Sequence, residues 1–201
     1  MINTIIFDLG NVLIDWNPYH LYRKIFDSDT EIQHFLETVC TMHWNEEQDA
    51  GRAIQAGTEI LVGQFPEHEA NIRAYYGRWD EMLGGGIEGT VNIFKKLKDS
   101  SRYKIYALTN WSAETFQIPL KQYDFLHWFD AIVVSGDEGL RKPDPRFYQL
   151  LLDRYEVKPE EALFIDDNYR NILAAREMGI QSIHFTSPED LNTQLGQLNL
   201  L

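Results

Sequence analysis

Acidic residues and one lysine recur in this chain at or just after short apolar runs. From such positions, side chains distant in sequence can converge on one bound molecule. Thr4-Ile5-Ile6-Phe7 leads into Asp8 and then Gly10-Asn11. The run 104–108 leads into Thr109-Asn110, the run 131–134 is soon followed by Lys142, and the run 162–165 leads into Asp166-Asp167. An Asp in such company can attack an electrophile, and Thr, amide and ammonium groups can hold the charge that develops. Three carboxylates at one place repel one another unless something positive lies between them. Mg2+ suits such a set, because it prefers oxygen ligands and usually keeps waters and a substrate phosphate. Each group alone has a plainer reading: Asp8 closing a turn, Thr109-Asn110 and Asp166-Asp167 capping helices, Lys142 solvated in a loop.

Convergence requires the apolar runs to be strands of one sheet. Four to eight apolar residues closed by a turn signal read as buried strand. Between the runs lie helical patterns at 90–98, at 113–123 (bent or interrupted near Pro119) and at 145–155, the last with Asp144 as N-cap and Pro145 at the first position. A further helix at 169–178 stops at Gly179, a last strand covers 182–185, and the tail from Pro188 is expected to form a short surface helix. Alternating strands and helices predict an α/β fold with a doubly wound parallel sheet, whose C-terminal strand ends share one edge. Residues 16–83 read differently. They show about four helical patterns, built on Leu21 and Ile25, on Ile32, Phe35, Leu36 and Val39, on 54–62, and on Ile72 through Leu83, with no strand. This predicts a core of 1–15 and 84–201 carrying an inserted all-α unit at 16–83, with Gly84-Gly85-Gly86 as hinge.

A length of 201 residues fits one domain with an insertion, and 44% hydrophobic residues can fill its core. The net charge of −13 argues against nucleic acid and gives no attraction to an anionic membrane. An anionic substrate would need a local positive centre. Cys40, the only cysteine, excludes an internal disulfide and reads as a buried structural thiol in a reducing compartment. No apolar stretch reaches membrane length and no leader pattern is present, so a cytoplasmic protein is expected. The six His show no close ligand spacing, which argues against zinc.

The ordered set Phe7-Asp8-Leu9-Gly10-Asn11-Val12, Leu108-Thr109-Asn110, Arg141-Lys142-Pro143-Asp144 and Phe164-Ile165-Asp166-Asp167-Asn168 resembles the four motifs of the haloacid dehalogenase superfamily. The opening is similar to that of its small sugar-phosphate phosphatases, such as the bacterial glucose-1-phosphatases. The resemblance implies a Rossmann-like core with an α-helical cap, and a Mg2+-dependent phosphatase for a small phosphorylated metabolite, acting through an aspartyl-phosphate on Asp8. It implies Asp8, Asp167 and the Gly10 carbonyl as metal ligands, with Asp166 direct or water-linked, and Thr109, Asn110 and Lys142 on the phosphoryl oxygens. Monomer and homodimer both remain open.

One departure stands out. Most phosphatases resembling this chain carry a second Asp two residues after the nucleophile, as acid and base; here that residue is Gly10. Either Asp15 supplies the proton or the leaving group needs little help. Trp16, Asn17, Trp44, Asn45 and Trp111, with Asp49, are candidates for substrate contact, since Trp faces suit sugar rings. Two other activities compete: a metal-independent 2-haloacid dehalogenase, which also lacks the second Asp, and a non-catalytic phosphometabolite binder.

Overall fold

The computed structural model describes residues 1–201. Its strands are β1 (Thr4–Phe7), β2 (Ile14–Trp16), β3 (Leu83–Gly86), β4 (Lys104–Thr109), β5 (Ala131–Val134), β6 (Ala162–Asp166) and β7 (Gln181–His184). Five of them form one parallel sheet in the order β5-β4-β1-β6-β7. Side chains alternate across a strand, so each strand feeds two cores. Ile5, Phe7, Ile105, Ala107, Leu163 and Ile165 join one apolar cluster, while Ile6, Tyr106, Leu108 and Phe164 join another on the opposite face. Helices cover both faces, as a doubly wound α/β fold requires. The fold class predicted from the sequence is therefore the one observed.

The register decides where chemistry can happen. Phe7 lies opposite Ala107 and opposite Ile165. Asp8 therefore leaves the central strand level with Asp166 and one residue short of Thr109. The plainer readings of these residues do not hold. The helix Ala113–Gln122 is N-capped by Ser112, and the helix Tyr169–Glu177 by Asn168, whose side chain accepts from Arg170 N. Thr109, Asn110, Asp166 and Asp167 are left for other work.

Several elements differ from expectation. Gly84–Gly86 belongs to β3, which pairs antiparallel with β2, so the expected hinge is an extended strand in a two-stranded ribbon. Glycine fits there because a Cβ at Gly84 would collide with the Asp15 carboxylate. Five α-helices, not four, lie between β2 and β3: Pro18–Tyr22, Asp29–Thr38, Met42–Asp49, Ile54–Gln64 and Glu69–Gly77. The unexpected one is Met42–Asp49. Its buried face is Trp44, Asn45, Gln48 and Asp49, so polar residues hide the helical period. The helix Ala113–Gln122 runs through Pro119 without a break. The helix Pro188–Gln197 is no mere surface element, since Leu191 and Leu195 are fully buried against the helix Glu88–Asp99. Cys40 is buried as expected, and burial pushes its thiol up to about 12. No helix is long and apolar enough to cross a membrane.

Candidate active site

Asp8 sits just past β1, 8% exposed, with its backbone N–H held by Ile165 O at 2.8 Å. Its Oδ1 accepts from Leu9 N at 2.7 Å and pairs with Lys142 Nζ at 2.9 Å. Lys142 is 1% exposed, and the same ammonium donates to Asp166 Oδ2 at 2.6 Å. Asn110 positions it: its Nδ2 donates to Lys142 O at 2.9 Å, and its Oδ1 accepts from Lys142 N at 2.8 Å. The end of β4 thus fixes the loop that carries the lysine.

Asp166 is fully buried and its oxygens are all engaged. Oδ1 accepts from Asn168 N at 2.7 Å, Asn171 Nδ2 reaches both oxygens at 3.1 and 3.0 Å, and Lys142 completes the set. Asp167 is more open and lines the cavity with Asp8 and Gly10. One oxygen each from Asp8, Asp166 and Asp167 lies within 4.8 Å of the others. A single ammonium does not balance three carboxylates. Burial pushes Asp8 up, Lys142 pulls it down, and Asp166 and Asp167 push it up again, to about 7. Burial and then Asp166 also raise Asp167. Burial pulls the Lys142 ammonium down, but Asp166 and Asp8 outweigh it and hold it above the ordinary lysine value. A site short of positive charge, lined only with oxygen ligands, is the environment a hard divalent cation fits.

Thr109 ends β4 with no exposure, and its Oγ1 has no hydrogen-bond partner. Buried polar atoms are normally paired, so a lone hydroxyl beside this cluster points to a ligand oxygen. Gly10 lines the cavity, and a Cβ there would meet no atom within 4 Å. Space for an acid exists at Gly10, but the acid does not.

A cavity of about 160 Å³ opens over Asp8, Lys142 and Asp167. Of the expected substrate residues, Trp16, Asn45, Asp49 and Trp111 line it. The other two do not. Asn17 caps the helix Pro18–Tyr22, accepting from Tyr19 N at 2.9 Å. Trp44 packs edge-on against Tyr75 at 5.1 Å and donates to Gly57 O at 3.0 Å, inside the helical unit. Asp15 is also elsewhere. It lies on β2 with its carboxylate on His20 Nε2 at 2.9 Å, and it does not reach the cavity that Trp16 lines.

Sequence reasoning passed over Trp79, Asn171 and the full part played by Asp49. Trp79 lines the cavity and stacks on Tyr76 at 5.4 Å, but its spacing reads as ordinary helix core. Asn171 stands three residues after Asn168, a signal that was available. Asp49 and Asn45 sit on the helix whose period was masked.

An aspartate just past the central strand, a buried lysine and a carboxylate cluster beside an inserted set of helices define a class of α/β hydrolases. The chain belongs to the haloacid dehalogenase-like hydrolases, whose family model matches residues 2–179. Among relatives, the sesquiterpene phosphatase astK of Aspergillus oryzae is 27% identical over 194 residues, covering 96% of this chain and 94% of its own length. Drimenol cyclase drtB of Aspergillus calidoustus is 34% identical over 97% of this chain, which spans only 36% of that longer protein. The fold matches the Bacteroides thetaiotaomicron HAD family enzyme bt-2542, solved with magnesium and inorganic phosphate, at a TM-score of 0.70 and 18% identity, over 93% of this chain and 95% of that one.

Proposed function

We propose that this protein is a Mg2+-dependent phosphatase that hydrolyses a small phosphorylated metabolite through an aspartyl-phosphate on Asp8. One observation carries the proposal: Asp8, Asp166 and Asp167 crowd to within 4.8 Å around a single lysine. A dehalogenase that attacks carbon uses no cation, and this cluster would repel its anionic substrate. The relative named a sesquiterpene phosphatase and the magnesium–phosphate complex of a structural neighbour support the same reading.

Asp8, Asp167 and the Gly10 carbonyl would hold the cation, with Asp166 behind them. Once bound, it supplies charge neutralisation for an incoming phosphate and polarises the phosphoryl group. The chain's own residues do the rest. A carboxylate oxygen of Asp8 attacks phosphorus in line with the leaving oxygen. Thr109 Oγ1, the backbone N–H of Asn110 and Lys142 Nζ hold the phosphoryl oxygens through the transition state. Asp166 keeps Lys142 charged and pointed at Asp8. Residues 16–83 act as the cap that covers the site and excludes water.

Trp16 and Trp111 offer flat apolar walls. The indole N–H groups of Trp16 and Trp79 have no partner in the protein. Apolar faces with spare donors favour a hydroxyl-bearing substrate such as a sugar phosphate.

A paired assay tests the reaction. Phosphate release from p-nitrophenyl phosphate with Mg2+, abolished by EDTA, is expected. EDTA-insensitive chloride release from 2-chloropropionate without phosphatase activity would overturn the proposal in favour of dehalogenation. Saturable binding of a phosphate ester without any turnover would overturn it in favour of a non-catalytic binder.

A further inference from the structure

A phosphoryl transfer to Asp8 needs a proton for the leaving oxygen, and Gly10 has none to give. Two carboxyls in the same cavity wall have no task in the mechanism above, and of these Glu46 is engaged by Arg141 and Arg170, which leaves Asp49. Asp49, the last residue of the helix Met42–Asp49, lines the cavity together with Asp8, Gly10 and Lys142 and is 7% exposed. No Lys, Arg or His stands within ion-pair distance of it, and nearby Arg141 is engaged with Glu46 at 3.1 Å. Burying a carboxylate without a cation is costly, so the neutral acid is favoured.

The carboxyl is also held in place. Asn45 Nδ2 donates to Asp49 Oδ2 at 3.0 Å, and Asn45 Oδ1 accepts from Tyr76 OH at 2.9 Å. Tyr76 OH in turn accepts from Gln48 Nε2 at 3.2 Å, so a chain of amides and a phenol fixes the orientation. The backbone is tied to the sheet as well. Ser135 Oγ, just past β5, donates to Asp49 O at 2.5 Å and accepts from Trp111 N at 2.9 Å. Asp49 therefore keeps its place relative to the strand ends, although it belongs to the helical insertion.

We infer that Asp49, presented from the cap, is the general acid and base that position 10 lacks. The inference rests on the phosphatase reading. In the first step Asp8 bonds to phosphorus, the bond from phosphorus to the leaving oxygen breaks, and the Asp49 proton moves to that oxygen, giving the alcohol. In the second step a water oxygen bonds to phosphorus and passes one proton to the Asp49 carboxylate. The bond between phosphorus and Asp8 breaks, releasing hydrogen phosphate and restoring both side chains.

The protonation state suits both steps. Burial pushes Asp49 up to about 7, Arg141 pulling against it, Glu46 adding to it and the Ser112 N–H pulling down. The other groups facing it are Asp8, Asp167 and Lys142 across the cavity and the phenols of Tyr75 and Tyr76, both kept neutral by burial. A group titrating near neutrality can donate in one step and accept in the next.

The test compares two esters in wild type, Asp49→Asn and Asp49→Glu, with Mg2+ present. The p-nitrophenolate of p-nitrophenyl phosphate leaves without a proton; the alkoxide of glycerol 2-phosphate needs one. For Asp49→Asn, kcat/KM on glycerol 2-phosphate should fall ~10²–10⁴-fold, against less than about tenfold on p-nitrophenyl phosphate. Asp49→Glu should recover part of the alkyl activity. In wild type, kcat/KM on the alkyl ester should decline as pH rises through about 7, and this limb should vanish in Asp49→Asn. The ratio between two esters does not depend on the folded fraction, so partial unfolding cannot imitate the result. Equal losses on both esters, or an unchanged pH limb, would overturn the role of Asp49. Wild type inactive on both esters would overturn the phosphatase reading itself.

Discussion

Asp49 shows how a functional residue reveals itself through its cost. Its carboxyl lies in a site where the neutral form is favoured, raised from 3.8 to about 7. The unfolded chain releases that proton near pH 4, the folded chain only near 7. This group therefore costs wild type stability as pH rises between those values, and Asp49→Asn, which has no proton there to lose, is spared that part of the loss. Three pH units at 1.36 kcal/mol each set the scale at ~4 kcal/mol at most. Chemical denaturation at pH 5 and pH 8 should show Asp49→Asn gaining on wild type at the higher pH. A constant difference would mean that Asp49 is not held neutral. Asp8, Thr109, Lys142, Asp166 and Asp167 were legible in the sequence because each ends or follows an apolar run. Asp15 is a candidate for its place at the mouth of the insertion, but its carboxylate is turned to His20. Position along the chain says nothing of which side of a short ribbon a side chain takes.

At the level of elements, the parallel sheet was legible because its strands are apolar on both faces. The helix Met42–Asp49 was not. It buries Asn45, Gln48 and Asp49 in a hydrogen-bonded network, so its buried face carries no apolar period. β2 and β3 were missed for another reason: strands of three and four residues, one of them mostly glycine, leave no alternating pattern. The same helix also carries a clasp. Glu46 pairs with Arg141 at 3.1 Å and with Arg170 at 3.3 Å, joining the inserted helices to the loop before Lys142 and to the first turn of the helix Tyr169–Glu177. Such pairs are partly exposed, and each contributes about 0–1 kcal/mol. Glu46→Gln should therefore loosen closure modestly, raising KM for a small phosphate ester several-fold with kcat within about twofold, and more so at low salt. A loss confined to kcat would contradict a closing role.

The whole molecule carries a net charge of −13 and is asked to bind an anion. It does so by keeping one lysine in the interior at the switch between strands and by crowding carboxylates where a cation can join it. The ends of three neighbouring strands, β4, β1 and β6, and the loop after β5 contribute, which is why residues from 8 to 167 can act as one site. In the proposed reaction Asp8 carries the phosphoryl group between substrate and water. The most direct measurement is acid quenching during turnover of p-nitrophenyl phosphate with Mg2+, followed by mass spectrometry of the peptide that contains Asp8. A phosphoryl adduct on Asp8 in wild type is expected, growing in Asp49→Asn as the second step slows, and absent with EDTA or in an inactive Asp8→Asn. Steady phosphate release with no adduct on Asp8, or release by Asp8→Asn at the wild-type rate, would mean that the phosphoryl group does not pass through Asp8.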